Sequence, residues 1–284
     1  MKKMLILLAV VALLFTSCAA TPEERVQIHN DADGLYTITI GQESYSHLEQ
    51  LQTLEDRGSN GNIAGAWIYG KTKDETEYTP ILLVQTKEGL AAQLLDVCAT
   101  YYPLLYAADV DGDKEDEVIV NNVRTAMGTG QYRLQVFAAE ASGLTPLYSF
   151  PKTAYTYHGA DADIPYDELN FGFHGYLRDG FRLFVEYPAL RYEETISLQD
   201  ATIDASLWDE NGQTLAPEED VLRFNTFHSV DVLDIDDDGV FEIVGKQHVS
   251  YGTKRSIGVM AITLQFNKDA GDFAVVQVAF EPQE

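Results

Sequence analysis

The polar and apolar positions of the chain alternate with a period of two in several short segments, which is the pattern of half-buried strands. The clearest cases are residues 133–136, 182–186 and 263–266. Other short runs are rich in the β-branched and aromatic residues that strands favour, at 81–85, 117–120, 242–244 and 274–280. Turn residues separate many of these runs. The pattern predicts a mainly β, largely antiparallel protein with about fourteen strands.

One short N-terminal helix is predicted at about residues 47–57. Ser46 and Glu49 have the spacing of a capping box, and leucines recur at helical spacing at positions 48, 51 and 54. Gly58 suits the end of such a helix. A shorter helix is predicted to begin at Pro217, because the three acidic residues that follow it favour a helix N-terminus.

Two segments of the chain, near 109–150 and 234–280, contain the same parts in the same order. Each begins with an acidic loop, enters an apolar strand, and turns at a glycine (Gly143 or Gly271) before a last strand that ends at a phenylalanine. Repeats of about 40–45 residues are typical of propeller blades and of stacked three- or four-stranded sheets. The repeat predicts either a β-propeller-like ring of about 4–6 blades or a stacked β-meander.

The two acidic loops place carboxylates at the same four positions, 1, 3, 5 and 9. A tight loop directs alternate side chains inward, and calcium prefers about six to eight oxygen ligands. Position 7 can add a backbone carbonyl, and the strand that follows position 9 distinguishes these loops from an EF-hand. The candidate metal ligands are Asp109, Asp111, Asp113, Glu115 (carbonyl) and Glu117 in the first loop, and Asp234, Asp236, Asp238, Val240 (carbonyl) and Glu242 in the second.

This spacing resembles the calcium loops of the FG-GAP and VCBS repeat families, which place D-x-[DN]-x-D-G-x-x-[DE] between strands of β-propellers and related cell-surface repeats. The second loop matches the pattern, with Gly239 at the turn position. The first loop departs from it, because Lys114 replaces the turn glycine and brings an ammonium that competes with a cation. The resemblance implies structural Ca²⁺ in a β repeat.

The alternative is that these Asp-rich turns cap hairpins through hydrogen bonds from backbone to side chain, without an ion. Against it, four carboxylates within nine residues repel one another and raise each other's pKa values unless a cation neutralises them. We therefore expect calcium in the loops, as a brace between strands.

The N-terminal segment has the pattern of an export signal. Lys2 and Lys3 precede an apolar run at residues 4–15, which is shorter than the roughly 20 residues of a membrane-spanning helix. Small residues then precede Cys18, which resembles the lipobox of bacterial lipoproteins. The resemblance implies a signal peptide at 1–17 and palmitate-type acyl chains on Cys18, followed by a tether at 18–33 and a β-repeat domain at 34–284. A plain secretory signal cut near Ala20 is the alternative.

The net charge and the lack of known catalytic motifs argue against several classes of function. The chain carries 45 acidic and 19 basic residues, a formal net charge of −26. Nucleic acids and anionic lipid surfaces attract clustered positive charge, so neither is an expected partner. The sequence contains no H-E-x-x-H, G-x-S-x-G, P-loop or C-x-x-C motif. We therefore do not expect an enzyme.

The expected function is a membrane-anchored, extracytoplasmic binding module with structural calcium, which displays a surface to a protein or glycan. One alternative is a hydrolase of an extracellular polymer. Another is a solute-binding lipoprotein, although alternating strand and helix signals are missing. Exposed rings in the aromatic stretch 155–192 would favour a binding face, whereas buried rings would only build the core. These rings are Tyr155, Tyr157, Tyr166, Phe171, Phe173, Tyr176, Phe181, Phe184, Tyr187 and Tyr192.

Overall fold

The structure is a computed structural model that describes residues 26–54, 60–71, 80–95, 103–124, 131–140, 143–152, 166–198, 207–215, 220–251 and 255–282. The chain divides into two compact units, Met1–Glu49 and Gln50–Glu284. Antiparallel strands make up nearly all of the regular structure in the described ranges. The prediction of a mainly β, largely antiparallel protein is confirmed.

The first unit is a short meander. β1 (Val26–Asn30) pairs with β2 (Tyr36–Ile40), which pairs with the first part of β3 (Glu43–Thr53). The turn after β1 closes because the Asp31 carboxylate accepts hydrogen bonds from the amides of Asp33 and Leu35. β1 falls inside the segment 18–33 that the sequence assigns to the tether, so the end of that segment is a paired strand.

The predicted N-terminal helix at residues 47–57 is wrong, because β3 runs through its first half as a strand. One extra residue bulges β3 between Tyr45 and Leu48, where His47 has a left-handed backbone with a φ of 58°. Leu48 and Leu51 are both buried. A bulged strand therefore produced a three-residue spacing of leucines that resembles one face of a helix. Residues 55–59 lie outside the described ranges.

In the second unit, strands adjacent in the chain pair as meanders, and all seven segments that the sequence predicts as strands lie within them. β4 (Ile63–Gly70), β5 (Ile81–Thr86) and β6 (Leu90–Leu94) pair in order. The next sheet contains β7 (Leu104–Ala108), β8 (Glu117–Arg124), β9 (Gln131–Glu140) and β10 (Gly143–Phe150). A three-stranded sheet follows, with β11 (His174–Arg178), β12 (Arg182–Tyr187) and β13 (Tyr192–Ser197). The last sheet contains β14 (Leu222–Leu233), β15 (Glu242–Tyr251), β16 (Arg255–Asn267) and β17 (Asp272–Pro282).

Helical structure is scarce in the described residues. It consists of one turn of α-helix, α1 (Tyr166–Leu169), and a 3₁₀ turn at Pro188–Leu190. Across these same ranges, no helix has the length and apolar character needed to cross a membrane. The predicted helix start at Pro217 falls outside the described residues.

The hydrophobic core of the second unit covers both faces of the β7–β10 sheet. Along β8, Ile119 faces a cluster shared with β11, β12 and β14–β16, whereas Val118 and Val120 face a second cluster shared with β4 and β5. Successive side chains of a strand point to opposite faces of its sheet, so Ile119 and its two neighbours are buried on different faces. Burial on both faces explains why residues 118–120 of β8 are all apolar. The first acidic loop therefore leads into a strand that is packed against hydrophobic side chains on both faces.

The described sheets are open meanders, with their strands in chain order. Neither a closed barrel nor a complete propeller is formed by the residues that the structure describes. The repeat units near 109–150 and 234–280 correspond to β8–β10 and β15–β17, each preceded by its acidic loop. The two loops therefore occupy equivalent places, between the first and second strands of a four-stranded meander.

Candidate metal centre

The first carboxylate of each loop organises the loop backbone. In the first loop (residues 109–117), the two oxygens of Asp109 accept hydrogen bonds from the amides of Gly112 and Lys114, at 2.6 and 2.9 Å. In the second loop (residues 234–242), both oxygens of Asp234 accept hydrogen bonds from the amides at positions 5 and 6, each at 3.0 Å. Position 1 thus closes both loops, with the position 6 amide as the partner that the two loops share.

The carboxylates at positions 5 and 9 have matching partners in the two loops. Asp113 and Asp238 each accept a hydrogen bond, at 2.7 Å, from the amide of the position 7 residue, Glu115 or Val240. The position 9 carboxylate reaches back to position 2. Glu117 accepts from the Val110 amide at 2.9 Å, and Glu242 accepts from the Ile235 amide at 3.0 Å. Both position 9 residues are buried.

The two loops share the same left-handed backbone positions but use different residues for them. Position 4 is Gly112 (φ 75°) in the first loop and Asp237 (φ 60°) in the second. Position 6 is Lys114 (φ 74°) in the first and Gly239 (φ 88°) in the second. Lys114 therefore adopts the conformation that glycine adopts in the matching loop, at an energetic cost that glycine avoids.

The carboxylates at positions 1, 3 and 5 converge in each loop. One oxygen from each of Asp109, Asp111 and Asp113 lies within 4.8 Å of the others, and the same holds for Asp234, Asp236 and Asp238. Oxygens bound at about 2.3–2.6 Å from one calcium ion lie at most about 5 Å apart. The observed spacing and the all-oxygen donor set therefore fit a calcium ion.

Most of the hydrogen bonds above would also hold a capped turn without an ion. Asp111 accepts a hydrogen bond from the Asp113 amide at 2.9 Å, as an Asx turn does. Asp236 is different, because within the described part of the chain no hydrogen bond involves its carboxylate. The Asp236 carboxylate nevertheless converges with those of Asp234 and Asp238, which makes it the residue that best separates the two interpretations.

The first loop holds its negative charge in a poorly solvated place. Burial, together with the neighbouring carboxylates of Asp111, Asp113 and Asp109, raises the pKa of the Glu117 carboxyl to about 8, although the hydrogen bond from the Val110 amide opposes the shift. Burial also raises the pKa of Asp111, and the Lys268 ammonium opposes that shift. A cation at the point where these carboxylates converge would offset their repulsion and stabilise their charged forms.

The two loops are in direct contact. The Phe241 amide, at position 8 of the second loop, donates a hydrogen bond to the Asp109 carbonyl at 2.8 Å. Lys268, in the turn between β16 and β17, donates from Nζ to the Gly112 carbonyl at 3.0 Å. The second repeat therefore supports the first loop with one backbone hydrogen bond and one positive charge, and spacing along the sequence had predicted neither contact.

Position 8 of the first loop is anchored in a similar way to the segment before β4. Asp116 is fully buried, and its carboxylate accepts hydrogen bonds from the backbone amide and the side-chain amide of Asn60. Its own amide donates to Asn62 Oδ1 at 2.8 Å, and Asn62 Nδ2 donates to the Asp116 carbonyl. The turn-forming sequence Asn60-Gly61-Asn62 was the only signal for this contact.

The aromatic stretch divides between core and surface. Phe173 and Tyr187 are buried and stack on each other, with ring centroids 4.5 Å apart. Tyr176 and Phe184 instead lie outside both core clusters, on the outer face of the β11–β13 sheet. Phe171, Phe181 and Tyr192 pack against the core, Tyr155 and Tyr157 fall outside the described residues, and the side chain of Tyr166 is not among those described.

Comparisons with protein-family models, with curated proteins and with solved structures find no match to this chain. The candidate site therefore depends on the geometry of the two loops and on the motif resemblance. Cys18 and the predicted signal peptide at 1–17 lie outside the described residues.

Proposed function

We propose that the chain is a lipid-anchored, extracytoplasmic binding module whose acidic loops hold structural calcium. The observation that carries the calcium part is the convergence of three carboxylates in each of two loops whose carboxylates at positions 1, 5 and 9 share backbone partners. The calcium ligands would be the carboxylates at positions 1, 3, 5 and 9, with the carbonyls of Glu115 and Val240 at position 7.

The anchoring part of the proposal is supported by the sequence before the described residues. The positive residues, the apolar run and Cys18 follow the order of a lipoprotein signal. More than one acyl chain gives a stable anchor, whereas one chain gives only reversible membrane binding. The protein would then be held outside the cytoplasmic membrane by lipid on Cys18.

The arrangement of the repeats is also part of the proposal. Meanders that follow one another along the chain, with an acidic loop at the same place in two of them, are what a propeller-like or stacked repeat requires. In such an arrangement, calcium in each loop would fix the path of the chain between the first two strands of a meander. Its role would be mechanical rather than catalytic.

A melting experiment tests the calcium part. Calcium at about ten times its Kd stabilises a folded protein by about 1.4 kcal/mol per site. The midpoint should therefore rise by about 3–6 °C per site relative to the protein in chelator. Equal midpoints in calcium and in chelator would reject structural calcium.

Labelling with radioactive palmitate in a bacterial host tests the anchor. The wild-type chain should incorporate label and remain with the membrane fraction, whereas Cys18→Ala should do neither. Cys98→Ala is the matched control, since these are the two cysteines of the chain. Label that persists in Cys18→Ala, or is missing from the wild type, would contradict lipidation at Cys18.

A further inference from the structure

The outer face of the β11–β13 sheet has an ordered arrangement of side chains. Alternation along β11 buries Gly175 and Leu177, and leaves the side chains on either side of them on the outer face. The strand register groups the outer residues into three rows that cross the sheet. The rows are Arg178, Arg182 and Ser197; Tyr176, Phe184 and Thr195; and His174, Glu186 and Glu193.

The first row places two arginines directly opposite each other on neighbouring strands. Like charges in this position are unfavourable unless something compensates for them. Both guanidinium groups are nevertheless held in place. Arg178 lies 5.2 Å from the ring centroid of Phe184 and 5.7 Å from that of Tyr176, and Arg182 Nε donates to the Asp179 carbonyl at 2.8 Å. Side chains fixed before binding lose little entropy when a ligand binds.

The paired arginines contrast with the rest of this acidic chain. The net charge is −26, and arginines at 178, 182, 191 and 223 are the four Lys or Arg residues between positions 153 and 245. The arginine fork matches the geometry of a carboxylate better than lysine does. The basic row therefore complements a carboxylate-bearing ligand, although the chain as a whole repels polyanions as large and as highly charged as nucleic acids.

The middle row adds two aromatic rings beside the arginines. Tyr176 and Phe184 are half-buried cross-strand partners that belong to neither core cluster. The Arg178 guanidinium lies over part of this row, so the remaining ring surface can contact the C–H face of a sugar while the arginine binds a carboxylate of the same sugar residue. The arginine row and the aromatic row lie side by side and both run across the strands, which suits an extended polymer that crosses the sheet.

We propose that this face binds an anionic polysaccharide, whose carboxylates pair with Arg178 and Arg182 and whose sugar rings pack against Tyr176 and Phe184. The inference rests on the proposed binding function and names its ligand class. The third row limits the site at its other end, because Glu186 and Glu193 repel a polyanion, and because Asp220 Oδ2 binds His174 Nδ1 at 2.9 Å. The polymer is therefore expected to follow the arginine row across the strands.

The test uses an oligomer of glucuronic acid and the methyl ester of the same oligomer, which keeps the rings and removes the charge. The full chain should bind the acid form and lose at least about tenfold in affinity for the ester, since the ester cannot form charge-assisted hydrogen bonds with the two arginines. The double variant Arg178→Gln/Arg182→Gln should lose a similar factor. Arg191→Gln, which removes one charge outside the row, should change affinity less than about twofold.

The proposal would be overturned by no binding of the acid form at low ionic strength, by equal binding of acid and ester, or by unchanged binding by the double variant. Oligoglutamate that binds as tightly as oligoglucuronate would also overturn it, because charge alone would then explain the affinity. Melting curves of each variant in calcium and in chelator keep the two proposals separate. The double variant should still melt at a higher temperature in calcium than in chelator. If the wild-type chain shows this calcium-dependent shift but does not bind the glycan, the proposal for this face fails while the calcium proposal stands.

Discussion

The two acidic loops share the backbone hydrogen bonds from positions 6, 7 and 2 to the carboxylates at positions 1, 5 and 9, but they differ at position 3 and in their surroundings. In the first loop, Asp109 is almost fully buried and the Lys268 ammonium binds the Gly112 carbonyl. In the second, Asp234 is only half-buried, positions 2 to 6 are exposed, and Gly239 provides the left-handed turn without strain. The shared hydrogen bonds are therefore a property of the nine-residue motif, whereas the cost of holding its charges without a metal depends on burial.

The largest expected effect is the loss of calcium stabilisation when Asp236 becomes Asn. The Asp236 carboxylate makes no hydrogen bond within the described part of the chain, so the calcium-free protein should melt as the wild type does. In calcium, the variant should lose the stabilisation that comes from calcium binding to the second loop, which is about 1.4 kcal/mol at a calcium concentration of ten times the Kd. Asp237→Asn is the matched control, because it removes the same charge from the next residue and asparagine tolerates the left-handed backbone. Equal calcium shifts in the two variants would rule out Asp236 as a ligand.

The second prediction concerns pH and distinguishes the buried first loop. The pKa of Glu117 is raised from near 4.5 to about 8 in the folded, calcium-free protein. The folded state therefore holds a proton that the unfolded state has released, and stability in chelator should fall as pH rises from about 5 to about 8. Glu117→Gln should flatten this dependence over that pH window, as measured by unfolding in urea.

Glu242→Gln serves as the control for that experiment, because it changes the same motif position in the second loop. Glu242→Gln should leave the pH dependence of the free energy of unfolding between about pH 5 and pH 8 close to that of the wild type. A profile that Glu117→Gln leaves unchanged would show that this carboxyl does not carry the predicted proton.

The third prediction exchanges the turn residues at position 6. Lys114→Gly should stabilise the chelated protein by about 1 kcal/mol, because glycine adopts the left-handed backbone freely. Gly239→Ala should destabilise it by about the same amount, and the cost should be purely conformational, since nothing lies within 4 Å of an added Cβ. Urea unfolding measures both changes, and effects of the opposite sign would contradict the assigned backbone conformations.

The smallest expected effect comes from Lys268→Met. Removing the ammonium leaves the first loop more negative, so the chelated protein should lose a few tenths of a kcal/mol and the calcium-dependent shift should grow. Lys152→Met is the control, because its ammonium pairs with Asp272, elsewhere on the same sheet. A calcium shift that decreased in Lys268→Met would mean that the lysine supports ion binding instead of substituting for it.

The local features of this protein could be predicted from sequence, and the contacts between distant segments could not. The strand at 117–120 and the converging carboxylates of both loops follow from residue type and spacing over a few positions. The helix prediction at 47–57 was wrong because a single left-handed residue, His47, shifts the period of β3. The Phe241–Asp109 hydrogen bond and the Lys268–Gly112 contact join residues more than one hundred positions apart, and nothing in the local sequence marks them as partners.

The central claim is that each loop holds one calcium ion, and counting the bound ions tests it most directly. Equilibrium dialysis should give two calcium ions per wild-type chain, one for Asp111→Asn, one for Asp236→Asn, and none for the double variant. No bound calcium in the wild type, or two ions retained by the double variant, would contradict the claim.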